Sequence, residues 1–142
     1  MSVPSPQKLG AADIQAIFEN SPFIASLKLD VKEVDHDKGV LTVAAPFLPG
    51  FERGANTGQW HGGPLAAIID TVGDFAVGMQ IGRGLPTINF RVDYLRPAIN
   101  TNLLAVATVR RAGKSVGVAD VDLYNDQGVL LAIGRASYST LP

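Results

Sequence analysis

Asn56-Thr57-Gly58-Gln59-Trp60-His61-Gly62-Gly63-Pro64 runs without a break into Leu65-Ala66-Ala67-Ile68-Ile69-Asp70-Thr71-Val72-Gly73-Asp74-Phe75-Ala76-Val77-Gly78-Met79. The first half reads as a loop and the second as a helix. A Gly pair permits close backbone approach, and Pro64 suits the first helical position, where its missing N–H is no loss. From Leu65 to Met79 the residues are apolar or small on nearly every side, which marks a helix buried all round rather than one with a polar stripe. Asp70 and Asp74 stand one turn apart on that helix, and two carboxylates in such a setting demand a reason.

Upstream, Ile14, Ile17 and Phe18 fall at i, i+3 and i+4. They predict a short amphipathic helix over Ala11 to Asn20, after a frayed terminus from Met1 to Gly10, acting as a lid or brace in an N-terminal segment of residues 1–26. Leu27, Leu29 and Val31 alternate with Lys28, Asp30 and Lys32, and Asp35-His36-Asp37-Lys38-Gly39 supplies a turn before Val40 to Ala45, so a strand pair is expected. Pro46 to Gly58, with two prolines and three glycines, reads as a long irregular loop.

Downstream, Ile88, Phe90, Val92 and Tyr94 alternate with Asn89, Arg91 and Asp93, which predicts a half-buried strand ending at Arg96-Pro97. Leu103 to Arg111, Ser115 to Tyr124 and Val129 to Tyr138 follow, with hairpin turns at Ala112-Gly113-Lys114 and Asn125-Asp126-Gln127-Gly128. The tail reads as an antiparallel meander of about four strands. Six strands can wrap a helix of about 16 to 18 residues, roughly 25 Å long. The expected fold class is therefore α+β, a curved antiparallel sheet around one central helix, forming a single domain over residues 1–142.

Composition narrows the function. The chain has 142 residues, enough for one core with roughly two-thirds of the unfolded surface buried. A net charge of −1 and a pI near 6.0 argue against nucleic acid as a partner. With no cysteine there is no disulfide framework, thiolate nucleophile or Cys-based zinc site, which fits a reducing compartment. No apolar stretch opens the chain, and none of the later runs reads as the ~18 apolar residues of a membrane span, so the expected location is cytoplasmic. His36 and His61 are the only histidines and are poorly spaced for one metal site, so none is expected.

Two motif matches fail on context. Gly113-Lys114-Ser115-Val116-Gly117 fits a serine-hydrolase elbow, but it lies between two strand patterns and no histidine follows it. A phosphate loop is excluded because Thr108 stands where its first glycine belongs.

One ordered set of motifs resembles the hotdog-fold thioesterases, and within them the phenylacetate-degradation (PaaI-like) acyl-CoA thioesterases. The set is Gly58-x-x-His61-Gly62-Gly63, Asp70 nine residues after His61, Leu85-Pro86-Thr87-Ile88, Val92-Asp93-Tyr94-Leu95-Arg96-Pro97, and Gly113-Lys114-Ser115. It spans most of the chain from Leu27 to Tyr138. The resemblance implies that Asp70 is the catalytic carboxylate, as nucleophile or as general base on water. It implies that the Gly62 backbone N–H donates to the thioester oxygen and that Thr87 helps to place the water. It also implies a homodimer or a pair of dimers in which Asp70 of one subunit faces Gly62 and the loop of the other. The family tends to carry Asn or Gln six residues before the motif histidine, where this chain has Ala55; Asn56, one step later, or Gln59 is the available polar group. Asp74 is a second departure, since an uncharged residue is expected one turn after the catalytic carboxylate.

The residues supply the chemistry of thioester hydrolysis, each with a plainer alternative. Burial and a like charge at i+4 raise a carboxyl pKa, which would tune Asp70 toward general-base work; alternatively Asp70 bonds a hydroxyl or backbone group at an interface. Asp74 is either a substrate contact or part of a polar interface or helix edge. Amides at a helix N-terminus suit an oxyanion, which places Gly62, with Gly63 beside it, at the site; the Gly pair also permits tight packing. His61 is either an acid–base group or a structural hydrogen-bonder. Arg110, Arg111 and Lys114 are suited to the phosphates of coenzyme A, with Lys114 also favoured by the resemblance, though a solvated turn has the same composition. No cofactor is expected, because coenzyme A belongs to the substrate. The competing readings are a noncatalytic acyl-CoA binding module and a hotdog hydratase or dehydratase with His61 as its acid–base group.

Overall fold

The computed structural model describes residues 7–142. Helix α1 (Ala11–Asn20) and the short α2 (Pro22–Ser26) precede strands β1 (Asp30–Asp35) and β2 (Val40–Ala45). A 3-10 turn at Pro49–Phe51 interrupts the loop to α3 (Gly62–Ile81), and then come β3 (Thr87–Tyr94), β4 (Leu103–Ala112), β5 (Val116–Tyr124) and β6 (Leu130–Ser139). The six strands form one antiparallel sheet in the order β1-β2-β4-β5-β6-β3, and α3 packs against five of them. This is the expected sheet wrapped around one helix.

Small side chains on the concave face of the sheet explain how closely α3 is held. Ala105 and Ala107 on β4, Ala119 on β5, and Ala132 and Ala136 on β6 are all fully buried. At Gly134 and Gly117 even a methyl group would fall 2.6 Å from Ile69 Cγ2 and 2.4 Å from Val77 Cγ1. Helix residues therefore fill the space that sheet side chains give up, and Ile68, Ile69, Val72, Val77 and Met79 are wholly enclosed. At 20 residues with mean hydropathy 1.2, α3 does reach the length and apolarity of a membrane-crossing helix, against the sequence expectation. Its apolar surface is instead taken up by the core, with 61% of the window buried.

Helix α3 also begins earlier than expected. His61 is its N-cap and Gly62 its first residue, so Pro64 occupies the third helical position. Proline is still tolerated there, because the first four amides of a helix have no partner within the helix. The helix ends at Gly82, whose φ of +103° forms a left-handed cap and whose N–H donates to Gly78 O at 2.7 Å.

Two further expectations change. The tail is not a four-strand meander: β4, β5 and β6 are consecutive neighbours, but β3 pairs only with β6, at the far edge. After Tyr94 the chain crosses back through Pro97 and Ala98, held by Trp60 N–H to Ala98 O, and enters β4 beside β2. As an edge strand, β3 exposes the apolar row that was expected to be half-buried, with Ile88 54%, Phe90 41% and Tyr94 53% accessible. The first strand starts at Asp30 rather than near Leu27, because Lys28 takes a left-handed φ of +55°; Leu27 and Leu29 still enter the core.

The N-terminal segment acts as the brace. Ile14 and Phe18 are buried, and the Phe18 ring meets Phe75 of α3 edge-on with centroids 5.1 Å apart. The Gln15 side chain donates to Leu29 O and accepts from Val31 N–H, which covers part of the free edge of β1. Part of the expected frayed terminus, residues 1–6, lies outside the described residues; just after it, Leu9 N–H is tied to Met79 O at 3.0 Å.

Two glycines of α3 are packed tightly against the chain itself. A Cβ at Gly73 would lie 2.5 Å from the Tyr138 hydroxyl, and one at Gly78 would lie 2.4 Å from the backbone oxygen of Arg83. Gly78→Ala must therefore displace the helix cap, and it is expected to cost about 1–3 kcal/mol, read as a lowered urea midpoint at unchanged m-value.

Candidate active site

Asp70 lies at the middle of α3, where the chain entering β3 passes alongside. The Thr87 hydroxyl donates to Asp70 Oδ1 at 2.8 Å, and the Tyr138 hydroxyl donates to the backbone oxygen of Asp70 at 2.6 Å. Asp70 is partly exposed and Thr87 is exposed, so this pair meets solvent. Because Thr87 spends its proton on the carboxylate, its oxygen lone pairs remain able to accept from water.

Asp74, four residues on, has a backbone partner. Its Oδ1 accepts the Leu85 backbone N–H at 2.8 Å. Burial pushes its carboxyl up to about 7, the Leu85 N–H opposes that rise, and the Asp70 charge adds to it. A raised carboxyl is thus found on this helix at Asp74. Burial, with the Asp70 and Asp74 charges added, also raises the Tyr138 hydroxyl above the ordinary tyrosine range.

Gly62 opens α3, at the positive end of its dipole, where first-turn amides have no partner within the helix. The Tyr94 hydroxyl donates to Gly62 O at 2.7 Å and fixes the start of the helix against β3. His61 N–H donates to Phe51 O at 2.7 Å, and its Nδ1 faces Gly63 N–H at 3.5 Å as the helix cap. Beside Gly62 a cavity of about 450 Å³ is lined by Arg53, Trp60, His61, Leu65, Tyr94 and Arg96, among others. Trp60 is buried there between Phe47 and Phe51, with its ring N–H on Thr101 O.

Asn56 lies on the preceding loop with φ +63°, and Glu52 shapes that loop by accepting the N–H groups of Asn56 and Gly58. The cationic cluster is divided. Arg110, the extra residue at an irregularity between Val109 and Arg111, pairs with Asp120 at 3.6 Å, whereas Arg111 and Lys114 belong to the exposed end of the β4–β5 hairpin. Asp120 also takes two hydrogen bonds from Arg135, which hold its carboxyl below the usual range, with desolvation opposing.

The chain therefore brings Asp70, Thr87, Asp74 and Tyr138 together, and separately Gly62, His61 and Tyr94. Gly62 and Asp70 stand eight residues apart on one helix, about 12 Å along its axis. Tyr94, Tyr138 and Leu85 were not identified as site residues from the sequence. The available signal was a large Tyr138 on the concave side of β6, where Ala132, Gly134 and Ala136 are small.

The raised Asp74 carboxyl has a consequence for stability. Between its unfolded value near 3.8 and its folded value of about 7, the native state binds more protons than the unfolded chain, so this group makes stability fall as pH rises across that window. Compared with wild type, Asp74→Asn is expected to flatten that decline by on the order of 2 kcal/mol, allowing for partial exposure. Urea unfolding of both proteins across the window measures the difference.

Comparisons agree with this architecture. The thioesterase superfamily profile matches residues 57–132. Acyl-coenzyme A thioesterase PaaI of Escherichia coli is 32% identical over 123 residues, covering 84% of this chain and 83% of that protein. The medium/long-chain acyl-CoA thioesterase YigI of Escherichia coli is 33% identical over 101 residues, 57% of this chain and 65% of that protein. The solved structure of E. coli PaaI superposes with a TM-score of 0.76 at 28% identity, covering 90% of each chain. With its six-stranded sheet closed around one long helix, this chain belongs to the thioesterase superfamily, the hotdog-fold family of thioester hydrolases.

Proposed function

We propose that the protein is an acyl-CoA thioesterase acting on aryl or medium-chain acyl groups, with Asp70 as the catalytic carboxylate. The observation that carries this reading is the 2.8 Å hydrogen bond from Thr87 to Asp70 Oδ1 at the solvent-facing middle of α3. Asp70 either removes a proton from a water that attacks the thioester carbon or attacks that carbon itself to give an anhydride, which water then opens. In both routes a C–O bond forms and the C–S bond breaks. The thiolate leaves with coenzyme A and takes up a proton, and the acyl group leaves as a carboxylic acid. Thr87 orients the carboxylate and the water. The Gly62 N–H, with Gly63 beside it, receives the negative charge that develops on the thioester oxygen.

Helix geometry supports a shared site. A thioester oxygen on the Gly62 amide would put its carbon within roughly 4 Å of that nitrogen, and attack requires a further 3–3.5 Å. Gly62 and Asp70 of one chain stand roughly 12 Å apart along the helix axis, and the Asp70 carboxylate is turned to the entrance of β3, onto the Thr87 hydroxyl. A second copy paired along β3 would cover Ile88, Phe90 and Tyr94 and bring Asp70 of each protomer toward Gly62 and the Asn56 loop of the other. In this reading the enzyme is a cytoplasmic homodimer or pair of dimers. Arg111 and Lys114 meet the phosphates of coenzyme A, and no separate cofactor is needed. The hydratase reading loses support because His61 serves as the helix cap.

Thiol release from a panel of aryl and alkyl acyl-CoA esters tests the activity. Asp70→Asn is expected to lose at least about a hundredfold in kcat. Saturable ester binding without turnover by the wild type would instead indicate a binding module. Sharing has its own test, since proline is tolerated at a first helical position and Gly62→Pro removes the amide, at the cost of a close contact of its Cβ with the Tyr94 hydroxyl, 3.3 Å away. Remixed subunits of Asp70→Asn and Gly62→Pro, each inactive alone, are expected to recover about a quarter of wild-type activity. Sites confined to one chain would recover none.

A further inference from the structure

Asp70 and Asp74 meet successive groups of the same passing segment. Four residues of helix rise about 6 Å, and two residues of extended chain span roughly 6.6 Å. Leu85 and Thr87 are two residues apart, so the i, i+4 spacing of the carboxylates matches the i, i+2 spacing of their partners. Asp74 Oδ1 accepts Leu85 N–H at 2.8 Å, and Asp70 Oδ1 accepts the Thr87 hydroxyl at 2.8 Å. Between these two rungs, Pro86 restricts the backbone and its carbonyl accepts Ser139 N–H at 2.9 Å. The segment that carries the Thr87 hydroxyl is thus held at Leu85 by Asp74, at Pro86 by Ser139, and at Thr87 by its pairing with Tyr138.

We propose that Asp74 is a positioning residue for the reaction: by gripping the Leu85 amide it holds the Leu85–Thr87 segment in the register that delivers the Thr87 hydroxyl to Asp70. The inference rests on Asp70 being the catalytic carboxylate. It accounts for a partly buried carboxylate on an otherwise apolar helix, and for its having a backbone partner rather than an open face. An ionised acceptor grips an N–H more strongly than a neutral one, so the hold strengthens as Asp74 loses its proton. Burial raises this titration most, and the groups that act on it are the Leu85 amide on the connection, which lowers it, and Asp70 on the same helix, which raises it. Tyr138 reaches the helix from β6, while Arg83 on the connection is engaged by the carbonyls of Thr140 and Leu141.

The test compares Asp74→Ala and Asp74→Asn with wild type in kcat, KM and pH dependence. The alanine variant is expected to lose about tenfold in kcat with KM within about threefold, as for a misplaced catalytic group. The asparagine variant keeps an acceptor but does not titrate. Its kcat is expected within about threefold of the wild-type alkaline plateau, without the wild-type rise as pH passes about 7. Wild-type kcat in the alanine variant, or a limb near 7 that persists in asparagine, would overturn the proposal.

A second readout is independent of turnover and of whether the alanine variant folds. In the wild type, the amide resonances of Leu85 and Thr87 are expected to shift together with a midpoint near 7, and in Asp74→Asn neither should. Movement at Leu85 without Thr87, or at neither, would refute the coupling. If the wild type hydrolyses no thioester, the functional reading fails by itself and these resonances still decide whether Asp74 governs Thr87.

Discussion

The constraint on which the rest of the structure depends is the enclosure of α3. A helix that is apolar on every side cannot rest on a flat sheet with one face in water, because most of its surface would stay wet. The chain wraps the sheet around the helix and lines the concave face with alanine and glycine so that the two backbones approach closely. At Gly134 and Gly117 the fit leaves no room for a methyl group beside Ile69 and Val77. Wrapping also fixes where polar groups on the helix can find partners. Asp70 and Asp74 face the gap through which the chain enters β3, where an amide and a hydroxyl are available to them.

Enclosure by six strands is incomplete at one edge. Strand β3 pairs on one side only and leaves Ile88, Phe90 and Tyr94 in solvent, the kind of edge that a monomer ordinarily blunts with charge or proline. The proposed oxyanion donor, Gly62, and the proposed catalytic carboxylate, Asp70, stand about 12 Å apart along the axis of the same helix. Two separate features, one of packing and one of chemistry, would both be met by the proposed pairing with a second copy. The proposed dimer rests on their agreement rather than on either alone.

Local rules made much of this legible. The buried helix followed from its uniform apolarity, the strand pairs from alternation, and the hairpins from Asp35 to Gly39 and Asn125 to Gly128, where Gly39 and Gly128 adopt positive φ. Sheet order was not legible, because β3 could be paired with β4 or carried to β6 without altering any local pattern. That choice decides whether Ile88 and Phe90 are covered within one chain. Nor could the partner of Asp74 be read, since Leu85 contributes only its amide and every residue except proline offers one. The need for glycine at positions 73 and 78 was equally hidden, because Tyr138 and the Arg83 carbonyl, which crowd them, belong to a distant strand and to the backbone.

The carboxylate pair shows how helix and strand periodicities cooperate. Residues four apart on a helix share a face, residues two apart on a strand share a side, and the two repeats are nearly equal in length. An extended segment crossing a helix can therefore be bound at two successive points by residues one turn apart. One point can hold the backbone while the other presents a side chain. At Asp74 the bond falls on a backbone amide, which limits how far the segment can slide. At Asp70 it falls on a hydroxyl that still faces solvent. The first bond thus supplies register and the second is left to chemistry, a division that follows from Leu85 being buried and Thr87 exposed.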